Sequence, residues 1–224
     1  MAPDKSGLSE FKAHLKEYYS SIKHGESEKI LEGIQKLVFF AGSTNDTLDT
    51  ILEEAARTIY RLFEFKEILI GIRDPKDKMY RYVISIGFRK DADQKLKLIR
   101  YTKEEFFDPN IYPGIWISKQ TKYFLSEDEP YDDDEIDTFN RPLIFQELRK
   151  SGDEFREGDY IDVHIFGPRG EMIGWIELSN TRDGRIPSRS SIFWLELIAA
   201  FLSVIIQKEE LGLRGRADIR IGPN

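Results

Sequence analysis

No cysteine occurs in this sequence. That absence removes disulfides, thiolate nucleophiles, thiolate metal sites and thioether-linked cofactors together. Histidine is nearly as scarce: His14, His24 and His164 are scattered along the chain, so no histidine cluster for a metal or haem is visible. Long apolar runs are missing too. The longest, Leu197 to Ile206, is about half of the roughly 20 residues a membrane span needs, and the charged N-terminus has no apolar core like that of a signal peptide. Positive charge is not in excess. Lys and Arg number 33 against 40 Asp and Glu, a net charge of -7, so there is no uniformly basic nucleic-acid footprint. These absences predict a soluble, cytoplasmic protein with neither nucleic acid nor membrane as partner.

Catalytic signatures are absent as well. The sequence has no Gly-x-Ser-x-Gly elbow and no His-Glu-x-x-His helix. Gly167, Gly170 and Gly174 match neither the dinucleotide fingerprint nor the P-loop, because those need a helix straight after the glycines and a strand pattern follows here. "SEDEPYDDDEID" carries eight carboxylates in twelve residues. It lacks the EF-hand glycine and terminal bidentate glutamate, and reads as a solvated, self-repelling loop. The expectation is a protein that is not an enzyme and has no metal site; its cofactor, if any, is unknown.

What is present is ample core material: 40% hydrophobic and 12% aromatic residues. Leu8, Phe11, Leu15, Tyr18 and Ile22 form a helical stripe with heptad character. A second helix, capped by Ser27, carries Ile30, Ile34, Leu37 and Val38 on one face. These helices either pack on their own domain or form a dimer seam. A third helix, capped by Asn45 or Asp46, places Leu48, Ile51, Leu52, Ala55, Ile59, Leu62 and Phe63 toward a core. The period then changes to two. Strands are predicted at 67–73 and 79–87, a further one in "QKLKLIRYT", and a hairpin at 160–166 and 171–179 around "GPRG". Residues 103–158 form a long excursion, with a short strand at "KYFLS" and a helix near "PLIFQELRK". Ile192, Leu195, Ile198, Ala199, Leu202 and Ile205 stripe a closing helix at 188–208. Helices, strands and hairpin in this order predict an α+β fold with a central antiparallel sheet. The division is an N-terminal helical extension (1–43), a domain (44–208) and a loose tail (209–224).

Within that domain, Gly170, Gly174, Asp183-Gly184-Arg185, Pro187 and Ala199-Ala200 follow one another as a glycine-turn hairpin, a polar loop and an Ala-rich apolar helix. In this the chain resembles the C-terminal half of GAF domains, and the likeness covers roughly residues 44 to 208. The resemblance implies a PAS-related α+β fold and a sensory or regulatory role with a small-molecule ligand. The chain also departs from the family. Asn180-Thr181 stand where an acidic residue is usual, the Asn-Lys…Phe…Asp-Glu signature of cyclic-nucleotide binders is missing, and bilin binders and free methionine sulfoxide reductases need the absent cysteine.

A simple four-residue turn at "GPRG" pairs Phe166 with Glu171. That puts Ile161, Val163 and Ile165 on one face with Met172, Gly174 and Ile176. The other face then carries Tyr160, Asp162 and His164 with Ile173, Trp175 and Glu177. Aromatic rings, acids and a histidine on one face suit a ligand cavity; a solvated or loop-covered sheet face is the alternative. The candidate ligand-binding residues are Tyr160, Asp162, His164, Trp175 and Glu177, with Tyr82 of the first hairpin and Trp116 of the excursion. Phe106, Phe107, Tyr112, Phe124 and Tyr131 surround Trp116 in sequence and can also simply anchor the excursion to the core. Two functions remain in view: a small-molecule sensor that signals through its terminal helices as a homodimer, and a ligand-free dimerisation or docking scaffold of the same fold.

Overall fold

The computed structural model describes residues 25–43, 47–128, 147 and 149–218. The heptad stripe at 8–22, Asn45 and Asp46, and most of the helix expected near "PLIFQELRK" lie outside them. The first described helix, α1 (Glu26–Ser43), buries Ile30, Ile34, Leu37 and Ala41 and leaves Val38 and Phe39 exposed. Its entry is Gly25, whose N–H donates to the Glu28 carboxylate at 2.8 Å. Ser27 is therefore inside the first turn and is not the cap. Helix α2 (Leu48–Leu62) is capped by Thr47, whose hydroxyl accepts from the Thr50 amide at 3.4 Å. That cap contributes about 1 kcal/mol. Ile51, Leu52, Ala55, Ala56 and Ile59 form its buried face.

Six strands form one antiparallel sheet: β1 (Phe65–Arg73), β2 (Tyr80–Ile86), β3 (Ile115–Trp116), β4 (Thr121–Phe124), β5 (Tyr160–Phe166) and β6 (Met172–Thr181), in the order β2-β1-β6-β5-β4-β3. Helices α1, α2 and the closing helix α5 (Arg189–Asp218) share one face of it. There Ile30, Ile59, Leu195, Ile198 and Leu202 pack with Ile68, Ile70, Ile161, Val163, Ile165 and Ile176 as the main core. The expected sheet and the one-sided placement of the helices are both present.

The hairpin differs in detail. Phe166 lies opposite Met172, not Glu171, and a register shift at Ile165/Phe166 sets Ile165 against Gly174. The turn is closed by the Gly167 amide on the Glu171 carbonyl at 2.7 Å, with Gly170 at φ +77°, the left-handed region that glycine enters freely. The shift exchanges two side chains: Ile173 joins the aliphatic core and Met172 the aromatic cluster.

"QKLKLIRYT" is not a strand. Helix α3 (Lys90–Leu96) takes its first part, and only Tyr101 makes a bridge, to Tyr80. A capping box between Thr102 and Glu105 then starts the short helix α4 (Lys103–Phe107), which lowers Phe106 onto Tyr80 and Trp175. Helix α5 runs on to Asp218, so residues 209–218 continue the helix where the loose tail was expected. Over Arg189–Gly212 this helix is long and apolar enough to cross a membrane. In the fold its stripe of Ile192, Leu195, Ile198, Ala199, Leu202 and Ile206 lies in the core.

Candidate functional site

The site is built on the sheet face away from α1, α2 and α5. Cross-strand pairing aligns its side chains in rows. One row reads Ser85, Leu69, Glu177, Asp162, Lys122 and Trp116 across β2, β1, β6, β5, β4 and β3. The next reads Tyr82, Gly71, Trp175 and His164. A third holds Glu67, Ser179, Tyr160 and Phe124. Gly71 matters because the Trp175 indole lies directly over it: a Cβ there would sit 2.1 Å from the ring. With Trp175 spread across that space, Tyr82 reaches the neighbouring row, and its hydroxyl donates to Glu177 Oε2 at 2.6 Å.

Rings close over this face. Tyr82, Tyr101 and Phe106 lie 5.0, 6.3 and 5.0 Å from the Trp175 ring, centroid to centroid. Around His164 stand Phe106, Phe107, Phe166 and Trp116, the last edge-on at 5.1 Å. Trp175 and His164 are each 0% exposed, whereas Trp116 is 48% exposed and forms the outer wall with Ile115 and Ile117. Lys122, itself buried, sits over the rings of Trp116 and Phe124 at 5.7 and 5.1 Å.

The electrostatics are unusual for a sheet face. Asp162 and Glu177 are directly opposed across β5 and β6, an arrangement that repels when both are ionised. Burial pushes the Glu177 carboxyl up to about 7, against the hydrogen bond from Tyr82 and with a further push from Glu67. Tyr82 in turn is driven well above its ordinary range by burial and by Glu177. His164 is pulled down to about 4, chiefly by burial and secondarily by the Lys122 charge, and is neutral at pH 7. Neither of its ring nitrogens has a hydrogen-bond partner among the described residues.

The structure thus brings Tyr82, Trp116, Asp162, His164, Trp175 and Glu177 to one face; the strand alternation predicted this grouping for Asp162, His164, Trp175 and Glu177. Two of the nominated residues take other parts. Trp175 is core, packed on Gly71 and three rings, and Tyr160 stacks on Phe124 at 4.3 Å with planes 10° apart. Lys122 and Tyr101 were not nominated. The "KYFLS" alternation does place Lys122 and Phe124 on one face, but which strand they would meet was not readable. An open cleft of about 410 Å³ lies elsewhere, at the end of β6, lined by Lys66, Phe155, Glu157 and residues 180–184.

No family model matches the sequence. A GTPase Obg of Clostridium beijerinckii is 27% identical over 157 residues, which cover 66% of this chain but only 32% of that protein. The chain spans about a third of that relative's length, and none of its 16 glycines is followed by the lysine of a P-loop. Solved structures speak to the fold. The GAF domain of a phosphoenolpyruvate-protein phosphotransferase from Coxiella burnetii has a TM-score of 0.55 at 10% identity, covering 82% of this chain and 96% of that one. The corresponding Acinetobacter domain has a TM-score of 0.54 at 14% identity, with coverages of 81% and 94%. The A. aeolicus nlh2 GAF domain in an inactive state has a TM-score of 0.52 at 13% identity, covering 83% and 99%. By fold the chain is a GAF-like domain of α+β architecture.

Proposed function

We propose that this is a non-catalytic, cytoplasmic sensory domain whose ligand enters beside Trp116 and contacts His164, Asp162 and Lys122. The observation that carries this reading is His164. A neutral imidazole that is wholly buried with both nitrogens unpartnered costs about 1–3 kcal/mol for each unmet group. It stands behind a half-exposed tryptophan, where a ligand could supply the missing partners. The Trp175 end of the face, filled by its own rings, serves as the floor. A thermal-shift screen of a metabolite panel against wild type, Trp116→Ala and His164→Phe tests it. At least one compound should raise the wild-type melting temperature and fail on both variants. Shifts that persist in both variants would move the site elsewhere.

The output surface in this reading is helical. On α5, Phe193, Leu197, Val204 and Leu211 are exposed at heptad-like spacing, and on the neighbouring α1 so are Leu31, Val38 and Phe39. A homodimer through these helices would cover both stripes, and ligand binding would shift their arrangement by differential affinity. Val204→Glu should convert a sedimenting dimer to monomer. A wild type that is already monomeric at micromolar concentration would end this part of the proposal. The packing of Trp175 favours a second reading, a ligand-free scaffold, and the same screen with no stabilising compound would select it.

A further inference from the structure

Deepening the sensory reading above, on which its purpose rests, we infer that Glu196 and Ser203 register α5 to the His164–Trp116 wall, so that a shift of the wall becomes a shift of the helix. The wall itself has little holding it. Strand β3 is two residues long, lies at the edge of the sheet and pairs only with β4, and Ile115, Trp116 and Ile117 are each about half exposed. What fixes it is the turn into β4. The Ile117 amide donates to the Thr121 carbonyl at 3.0 Å, and the Ser118 hydroxyl accepts from the amides of Gln120 and Thr121 at 3.0 and 2.9 Å. With its lone pairs so used, that hydroxyl donates its proton to Glu196 Oε1 on α5, and the buried Thr121 hydroxyl donates to the same oxygen at 2.7 Å. Between them, Gln120 grips the His164 backbone on both sides. Its carbonyl accepts the His164 amide and its side-chain amide donates to the His164 carbonyl, each at 2.8 Å. One short turn thus joins the wall, the histidine and the helix.

The second tie ends beside the same histidine. Ser203 Oγ donates to the Phe166 carbonyl at 2.6 Å, and the Phe166 ring stands 5.7 Å from that of His164. Among the described residues, Glu196 and Ser203 are the two places where side chains of α5 hydrogen-bond to the strands and their turns. They lie about 10 Å apart along the helix, and each directly precedes a residue of the exposed stripe, Leu197 and Val204. The rest of the contact is aliphatic, with Leu195, Ile198 and Leu202 in one core with Ile161, Val163 and Ile165. Apolar packing is non-directional and lets a helix slide by small amounts. A carboxylate oxygen shared by two hydroxyls holds only within narrow limits of distance and angle. The register of α5 on the sheet therefore rests on Glu196 and Ser203, and both lead to the surroundings of His164.

Hydrogen exchange of the full chain tests this without a ligand. Trp116→Ala, which disturbs the wall, should speed exchange about threefold in the α5 amides of residues 193–204. Helix α2, which packs in the same core but is not bonded to this turn among the described residues, should stay unchanged. Glu196→Leu should itself speed α5 exchange, and Trp116→Ala should then add nothing, because the tie is already cut. Thr121→Val, which keeps the shape and removes one of the two bonds, should leave part of the response. Glu196→Gln, which keeps an acceptor oxygen, should restore it. Equal acceleration in α2 and α5 would mean general loosening and overturn the inference. So would an α5 that ignores Trp116→Ala, or one in which the effects of Trp116→Ala and Glu196→Leu simply add. If the exchange pattern holds and the metabolite screen finds no compound, the coupling stands and the ligand reading falls; the reverse pair of results sinks the coupling alone.

Discussion

Two carboxylates less than twenty residues apart in sequence, the buried Asp159 and the partly buried Glu177, are treated in opposite ways. Asp159, 0% exposed, accepts five hydrogen bonds. Two come from Arg149 at 2.8 Å each, two from the amides of Ser126 and Arg156, and one from Tyr123. Burial alone would raise its pKa, but these donors together outweigh that and hold it below the usual range. Arg149 is also tied to Glu127, which Arg156 contacts in turn, so the cluster fastens the segment just after β4 and the end of the excursion to the entry of β5. Glu177 has Tyr82, an opposed Asp162 and a raised pKa, with His164 unpartnered nearby. A protein that satisfies one acid so fully is able to satisfy another. The unmet groups on the Glu177 face are therefore read as a site, and the Asp159 cluster as structure.

The largest expected effect falls on the structural side. Asp159→Asn strips the charge from a network whose Arg149 remains, and should cost about 3–5 kcal/mol in urea unfolding at pH 7. A cost below about 1 kcal/mol would mean that the cluster does not hold the excursion. The two tryptophans should divide in the same way. Trp175→Ala, at 0% exposure, should lose about 3–5 kcal/mol, while Trp116→Ala, at 48% exposure, should lose under about 1 kcal/mol. Equal losses would make Trp116 a core residue and not a wall.

Acid should sharpen the contrast. The His164 pKa is depressed from 6.5 to about 4 in the fold, so its contribution to stability is complete above about 6.5. It is lost as pH falls toward 4, on the order of 3 kcal/mol in all. In His164→Phe that part of the acid sensitivity should vanish, read as a flatter plot of unfolding free energy between pH 6.5 and 4. An unchanged slope would place the histidine in a wetter setting. Glu177 runs the other way. Its pKa is raised from 4.5 to about 7, so stability present below about 4.5 is lost as pH rises through 7. After discounting for its partial exposure, Glu177→Gln should gain about 1 kcal/mol at pH 8 and nothing at pH 4. Destabilisation at both pH values would show that the carboxylate is needed by the fold.

Much of this face was legible in the sequence because side chains in a strand alternate with period two. The hairpin register was off by two residues, and an even shift returns every side chain to its own face. Tyr160, Asp162 and His164 therefore stayed with Trp175 and Glu177. Only Met172 and Ile173, beyond the irregularity at Ile165/Phe166, exchanged places. "QKLKLIRYT" misled because Lys95 to Leu98 alternate as a strand would. Leu98 is in fact 76% exposed, and the acids Asp91 and Asp93 begin a helix upstream. Lys122 was not singled out for a different reason. Its place beside Asp162 depends on pairing between strands about 40 residues apart, and no local pattern records such a pairing. The depth of Trp175 rests likewise on the bare backbone of Gly71, on the neighbouring strand of the sheet but first in the order of the chain where Trp175 is on the last.

The central claim is that the Glu177–His164 face is kept polar for a ligand at the expense of stability. The most direct test is the unfolding free energy at pH 8 of the double variant His164→Phe/Glu177→Gln beside wild type and Asp159→Asn. The account predicts a double variant as stable as wild type or more so, with Asp159→Asn lower by several kcal/mol. A double variant that falls as far as Asp159→Asn would contradict it, and would make both clusters parts of the same scaffold.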